Sequence, residues 1–133
     1  MRRFEDINAW GKARQLVREI YQVSAQGAFG KDFALRDQTR RAAVSIMSTI
    51  AEGFARRIHK EFRNFLAMAH GSAAEVQSQL YVALDLGYLT EEKFRNLYSK
   101  AEEVSRMVQP LGASLSSTAE AGKGVGRSAG KDV

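Results

Sequence analysis

The sequence predicts an all-α protein, specifically an antiparallel up-down-up-down four-helix bundle. Three observations carry that expectation. Proline occurs once in 133 residues, in a chain rich in the helix formers Ala, Leu, Arg, Glu and Gln. Apolar residues recur at three- and four-residue steps in four separate segments, the period of a helix with one buried face. Capping residues or glycines stand between most of those segments. With 44% hydrophobic and 26% charged residues, the chain has an ordinary globular balance. Its length suits one domain with a continuous core.

In the first segment, Asp6 is the expected N-cap, since its carboxylate can accept from free amides of the first turn. Ile7, Trp10, Ala13, Val17 and Ile20 then make one apolar face, widened by Leu16 and Val23. Gly27 and Gly30 break the pattern, which places the helix end near Ala25. Asp32 is the cap of the second helix, whose stripe is Leu35, Thr39, Ala42, Ala43, Ile46, Met47, Ile50 and Phe54. Neither proline nor glycine marks its end. A tight turn near Arg57–His59 is expected because one helix from Asp32 to Leu86 would be too long for a compact domain.

The third helix follows from Phe62, Phe65, Leu66, Ala69, Ala73, Val76, Leu80, Ala83 and Leu84. Gly71 lies inside it, at a propensity cost of roughly 1 kcal/mol relative to Ala. With Ser72 and the neighbouring alanines, it forms a small-residue surface on which another helix could pack. Gly87 is the expected C-cap. Thr90 then opens the fourth helix, with Glu91 and Glu92 near the positive end of its dipole. Phe94, Leu97, Tyr98, Ala101, Val104, Val108, Leu111 and Leu115 continue the period. Pro110 removes one backbone donor inside that run, so a kink or early end is expected there. Short connections favour antiparallel neighbours. The domain is read as residues 1–117, followed by a flexible Gly/Ser/Ala-rich tail, 118–133.

The composition also excludes functions. Without cysteine there is no disulfide framework, thiol nucleophile or thiolate metal site, which suits a reducing cytosol. Glu5 and Asp6 interrupt the start before any apolar leader forms, and no stretch approaches ~20 apolar residues. A cytoplasmic protein that does not enter a membrane is expected. Neither His59 nor His70 has the glutamate three residues earlier that bundle di-iron sites use. No metal, cofactor or catalytic residue is assigned. Ser45, Ser48, Ser72 and Ser78 lack a His–acid pair, and Glu52, Glu61 and Glu75 lack paired-carboxylate spacing. Gly122–Ser128 superficially resembles a phosphate loop, but it follows a helix rather than a strand, so it reads as solvated tail. The expectation is a protein without enzyme activity.

Several phrases, in order, resemble the four-helix bundle family of proteins encoded in 23S rRNA intervening sequences, the S23-like proteins. They are FEDINAW at 4–10, QTRRAAVSIMSTIAEGFARR at 38–57, KEFRNFLAMAHGSAAEVQSQL at 60–80 and DLGYL at 85–89. The likeness spans Phe4 to about Leu115. It implies an up-down-up-down bundle and assembly as a ring-shaped homopentamer. It also brings in a related protein, the accessory protein of diversity-generating retroelements, which partners a reverse transcriptase and binds nucleic acid through basic surfaces. Thr49 stands where the family commonly has Asn before Ile-Ala-Glu-Gly, so any hydrogen bond from that amide is in question. Gly71, Ser72 and Glu75 fit the family pattern.

The charge of +5 is unevenly spread. Lys31 to Arg63 carries eight Lys/Arg against four acids, whereas Asp85 to Arg106 carries four against five. Arg40, Arg41, Arg56, Arg57 and Lys60 are therefore the candidate contacts to RNA or DNA, or to a neighbouring subunit. The alternative is pairing with Glu52, Asp37 or other local acids on a solvated face. Gly53 within a helix suggests close approach of another element, with Glu52 placed to accept from an arginine. Trp10, Tyr81 and Tyr88 could stack on bases, but their spacing suits core packing better. The leading expectation is a non-enzymatic homo-oligomeric scaffold, with a pentamer favoured. The alternative is a nucleic-acid-binding accessory factor acting through basic helix surfaces, with a reverse transcriptase as its protein partner. A protein partner is also open.

Overall fold

The structure, a computed structural model, describes residues 2–120, with side chains described through residue 109. Among these residues it is entirely helical. A 3-10 turn at Phe4–Asp6 leads into α1 (Asn8–Val23), the short α2 (Gly27–Lys31), α3 (Phe33–Arg56), α4 (His59–Asp85) and α5 (Glu91–Glu120). The four long helices form a bundle in which α1 packs on α3 and α5, and α4 packs on α3 and α5. Its core is the expected stripes turned inward: Leu16 and Ile20, Ile46 and Ile50, Leu66 and Leu80, Leu97 and Val104 are all at most 1% exposed. Burying each such side chain contributes about 1.5–3 kcal/mol.

Side-chain contacts give the direction of neighbouring helices. Ser45 meets Ser72, and further along α3 Phe54 meets Phe62, earlier in α4. Tyr81 packs on Phe94 and Tyr98, while Gln77 bonds Glu102 and His70 reaches Ser105. Residue numbers fall on one helix as they rise on its neighbour, so α3 and α4, and α4 and α5, run antiparallel. Glu19 bonding Lys100 while Lys12 pairs with Glu103 orients α1 and α5 in the same way.

Most expected boundaries hold. The Asp32 carboxylate accepts from the Leu35 amide at 3.1 Å and caps α3. Thr90 Oγ1 accepts from the Lys93 amide at the start of α5. Gly87, at φ 77°, ends α4. The Tyr88 amide donates back to Ala83 and the Gly87 amide to Leu84, the paired bonds of a Schellman closure.

Three expectations change. Asp6 does not cap α1. Its carboxylate accepts from the amides of Arg2 and Arg3 and closes the preceding 3-10 turn, leaving Ile7 as the N-cap. The Gly27–Gly30 break instead contains α2, which places Phe29 in the core at 1% exposure. The tight turn expected near Arg57–His59 is present, and a non-glycine makes it: Arg57 adopts φ 62°. No early end occurs at Pro110, although it lacks a backbone donor and its ring crowds the carbonyl four residues earlier; α5 continues to Glu120. The tail from 121 onward, with its Gly122–Ser128 sequence, lies outside the described residues.

Asp32 also joins the two connections at one end of the bundle. Its second oxygen accepts from the Tyr88 hydroxyl at 2.9 Å, and Tyr88 stacks on Phe29 at 5.5 Å. The hydrogen bond to Asp32, with burial, raises the Tyr88 pKa. Burial, with Tyr81 alongside, raises that of Tyr98. A phenol whose folded pKa is raised contributes stability that is complete below its unfolded pKa, about 10. That contribution is lost as pH climbs through the folded value. Denaturant melts should therefore lose stability as pH rises above about 10. Tyr88→Phe should remove a late-ionising phenol from the ultraviolet titration. A titration curve identical to wild type, less one ordinary tyrosine, would disprove the Asp32 contact.

Candidate functional site

The five basic candidates do not share one face. Sixteen residues separate Arg40 from Arg56, which leaves them about 160° apart around an ideal helix. Arg40 turns toward α1. Its Nε donates to Ser24 Oγ at 2.8 Å and its Nη2 to the Tyr21 carbonyl at 3.2 Å, while the guanidinium lies 4.5 Å from the Tyr21 ring centre. It thereby supplies a donor to a carbonyl left open at the end of α1. Arg56 turns toward α4 instead. It pairs with Glu52 at 3.1 Å and Glu61 at 3.5 Å, and sits over Phe65. Both partners of the Glu52 pair are about half exposed, so its contribution is small, around 0.3–0.5 kcal/mol.

Arg41, Arg57 and Lys60 remain exposed and make no ion pair among the described residues. Arg57 rests over the Phe54 ring at 5.9 Å. Arg41 borders a shallow depression of about 350 Å³ between α1 and α3, shared with Tyr21, Asp37, Arg40 and Val44. Asp37 is already bonded by Arg36 at 2.9 Å, which holds its pKa below the usual value. Four residues before Asp37 on α3, Phe33 is 63% exposed, with the Arg36 guanidinium 4.7 Å from its ring centre.

The marked small residues separate in the same way. Gly53 is buried and is the point of close approach: a Cβ there would lie 2.5 Å from Phe65 Cβ and 3.1 Å from the Phe62 ring. Gly71 is exposed, and nothing within the chain comes within 4 Å of a Cβ placed on it. Of the small-residue surface expected around it, Ala69 and Ala73 are buried in the bundle core, whereas Gly71 itself receives no helix of the same chain. Ser72, one residue on, faces α3 and shares a 3.0 Å hydrogen bond with Ser45. Glu75 is exposed and only loosely bonded, accepting from Gln79 at 3.5 Å. Thr49 is buried and donates to the Ser45 carbonyl at 2.7 Å, so its hydroxyl is satisfied within its own helix.

One surface was not anticipated from the sequence. Met68, Val82 and Leu86 on α4 are 54%, 43% and 55% exposed. With Glu75 they fall at steps of seven, seven and four residues, close to whole helical turns, and so share one outward stripe. A second apolar period on a helix whose inward stripe is already assigned is the signal that would have revealed it.

His70 is half-buried and hydrogen-bonded to Ser105, and His59 is exposed. Among the described residues, no group of three or more His, Cys, Asp or Glu is placed to hold a metal ion. No described helix is long and apolar enough to cross a membrane.

The sequence pattern of the 23S rRNA-intervening sequence protein family matches residues 5–110. The chain belongs to this family. The match spans α1 to α4, the first twenty residues of α5 and both exposed faces described above. The family's description indicates no enzymatic activity. Among solved structures, the chain is similar to the crystal structure of a protein with unknown function from the S23 ribosomal protein family of Bacteroides thetaiotaomicron. The TM-score is 0.71 at 21% identity, covering 77% of this chain and 96% of the other. At that identity the likeness establishes the fold of this chain. No match was found among curated proteins.

Proposed function

We propose that the chain is a non-enzymatic cytoplasmic scaffold that acts by assembling copies of itself, five being the number favoured by the family resemblance read in the sequence. The observation that carries this reading is the outward stripe of α4. Met68, Val82 and Leu86 face away from the bundle core and set exposed apolar side chains along one stripe, with Glu75 between Met68 and Val82 and the small residues Gly71 and Ser78 alongside. Exposed apolar residues grouped in this way mark interaction surfaces. Multi-angle light scattering across a dilution series should give a mass several times 14.7 kDa. A single species of monomer mass at every concentration would remove the proposal.

A second reading, an RNA- or DNA-binding accessory factor, is favoured by one specific feature. Arg57 and Lys60 project at the α3–α4 turn without an ion pair among the described residues. A reverse transcriptase is the protein partner this reading would bring. Phosphate contacts release counterions, so binding should weaken steeply as salt rises. Neutralising Arg57 and Lys60 should reduce both the affinity and the salt slope. Affinity indifferent to salt and to these substitutions would dismiss it.

A further inference from the structure

Two faces of the chain differ in charge and match in apolar character. On α4, the segment from Asn64 to Leu86 contains no Lys or Arg, although the whole chain carries +5. Its acids are Glu75, within the exposed stripe of Met68, Val82 and Leu86, and Asp85 at the edge of that stripe; both are exposed. The other face is the groove between α1 and α3. Tyr21 and Val44 line it at 43% and 36% exposure, and the exposed Phe33, four residues before Asp37, lies on the same side of α3.

Arginines border that groove. Arg41 lines it directly. Arg14 and Arg18 precede Tyr21 by seven and three residues, which puts them on the same side of α1. All three are exposed and make no ion pair among the described residues. Among the described residues, the only acid lining the depression, Asp37, is already bonded to Arg36.

We infer that the α1/α3 groove receives the outer face of α4 from a second copy of this chain. Met68, Val82 and Leu86 would cover Tyr21, Val44 and Phe33, while Glu75 and Asp85 would meet Arg18 and Arg41. This inference rests on the assembly reading above and gives it an interface. The two faces are different surfaces, so the contact is head-to-tail: each copy offers one face and accepts on the other. Contacts of that kind close into rings or extend, whereas a self-complementary face stops at a two-fold dimer.

A nucleic acid suits this groove less well. The guanidinium groups of Arg40 and Arg36 already lie over the rings of Tyr21 and Phe33, where a base would have to stack. Phosphates would also leave Val44 and Phe33 uncovered. A cation-free apolar helix face satisfies both the arginines and the exposed apolar side chains.

Charge reversal tests the pairing on the full chain by light scattering, with circular dichroism confirming that each variant remains helical. Arg18→Glu with Arg41→Glu should weaken assembly roughly 100-fold or more, as should Glu75→Lys with Asp85→Lys, because each sets like charges opposite one another. The chain carrying all four substitutions restores opposite charges across the contact and should assemble again. Adding nucleic acid should not rescue either double variant. Persistence of the wild-type assembly in both double variants would overturn this interface and leave the assembly reading intact. Sensitivity to the α4 pair alone, without rescue, would indicate a symmetric α4–α4 contact and also overturn it. A wild-type monomer overturns the assembly reading and this inference together.

Discussion

Replacing Phe29 with alanine should lower unfolding free energy by about 3–5 kcal/mol, the usual cost of removing a buried aromatic ring. Phe29 is 1% exposed and stacks on Tyr88. It sits on a helix of only five residues, far too short to persist through its own hydrogen bonds. Truncation would therefore leave a cavity and also release the anchor of α2. That anchor matters beyond the segment itself, because Tyr88 lies in the α4–α5 connection and donates to Asp32, the cap of α3. One ring thus helps to register three helix ends. Phe29→Leu, which retains most of the apolar volume but not the stacking, should lose distinctly less. The comparison needs urea melts at one protein concentration, since self-association would make apparent stability depend on concentration. A loss below about 1 kcal/mol for Phe29→Ala would mean that the ring does not fill the core as described.

Phe29 also shows where sequence reading runs out. Each long apolar stripe announces its helix because burial of one face imposes a 3.6-residue period over many turns. Asp32, Gly87 and Thr90 are legible for a related reason: each performs a local backbone task that few residue types can do. A five-residue helix between two glycines has no such period. Gly27, at φ 52°, and Gly30, where a Cβ would lie 2.8 Å from the Ala25 carbonyl oxygen, look like a simple break until the tertiary contact of Phe29 is known. Asp6 was misplaced by one element because a carboxylate can close a 3-10 turn behind it as readily as cap a helix ahead.

The candidate site was less legible than the fold. Charge density pointed to Arg40, Arg41, Arg56, Arg57 and Lys60, but density does not say where a side chain turns. Arg40 is occupied with the end of α1 and Arg56 with Glu52 and Glu61. Only Arg41, Arg57 and Lys60 remain outward without an ion pair among the described residues. Conversely, Met68, Val82 and Leu86 merged in the sequence with the apolar residues of the core. Their separation as a second face depends on where α3 and α5 cover α4, a tertiary fact.

The tightest constraint on that covering is Gly53. Gly53→Ala should destabilise the chain by about 1–3 kcal/mol, the usual cost of overpacking, even though alanine is the better helix former by about 1 kcal/mol. The reason is the 2.5 Å separation between a Cβ at position 53 and Phe65 Cβ. The obstructing atom is the first of its side chain, fixed to the α4 backbone, and no rotamer change moves it. Relief requires α3 and α4 to part, which would loosen Ile50 and Leu66, at 0% and 1% exposure. A double-mutant cycle separates this explanation from ordinary crowding by the ring. Phe65→Ala retains Cβ, so the penalty at position 53 should persist in the Phe65→Ala background. Phe65→Gly removes the atom and should abolish most of the penalty, despite its own cost to the helix. Rescue by Phe65→Ala would mean instead that the aromatic ring sets the distance between α3 and α4. The control is Gly11→Ala, inside α1 with nothing within 4 Å of the added methyl, where propensity acts alone. That substitution should gain up to about 1 kcal/mol in the same melts. Opposite signs at two helical glycines would assign the loss at Gly53 to the approach of α4 rather than to a general intolerance of alanine.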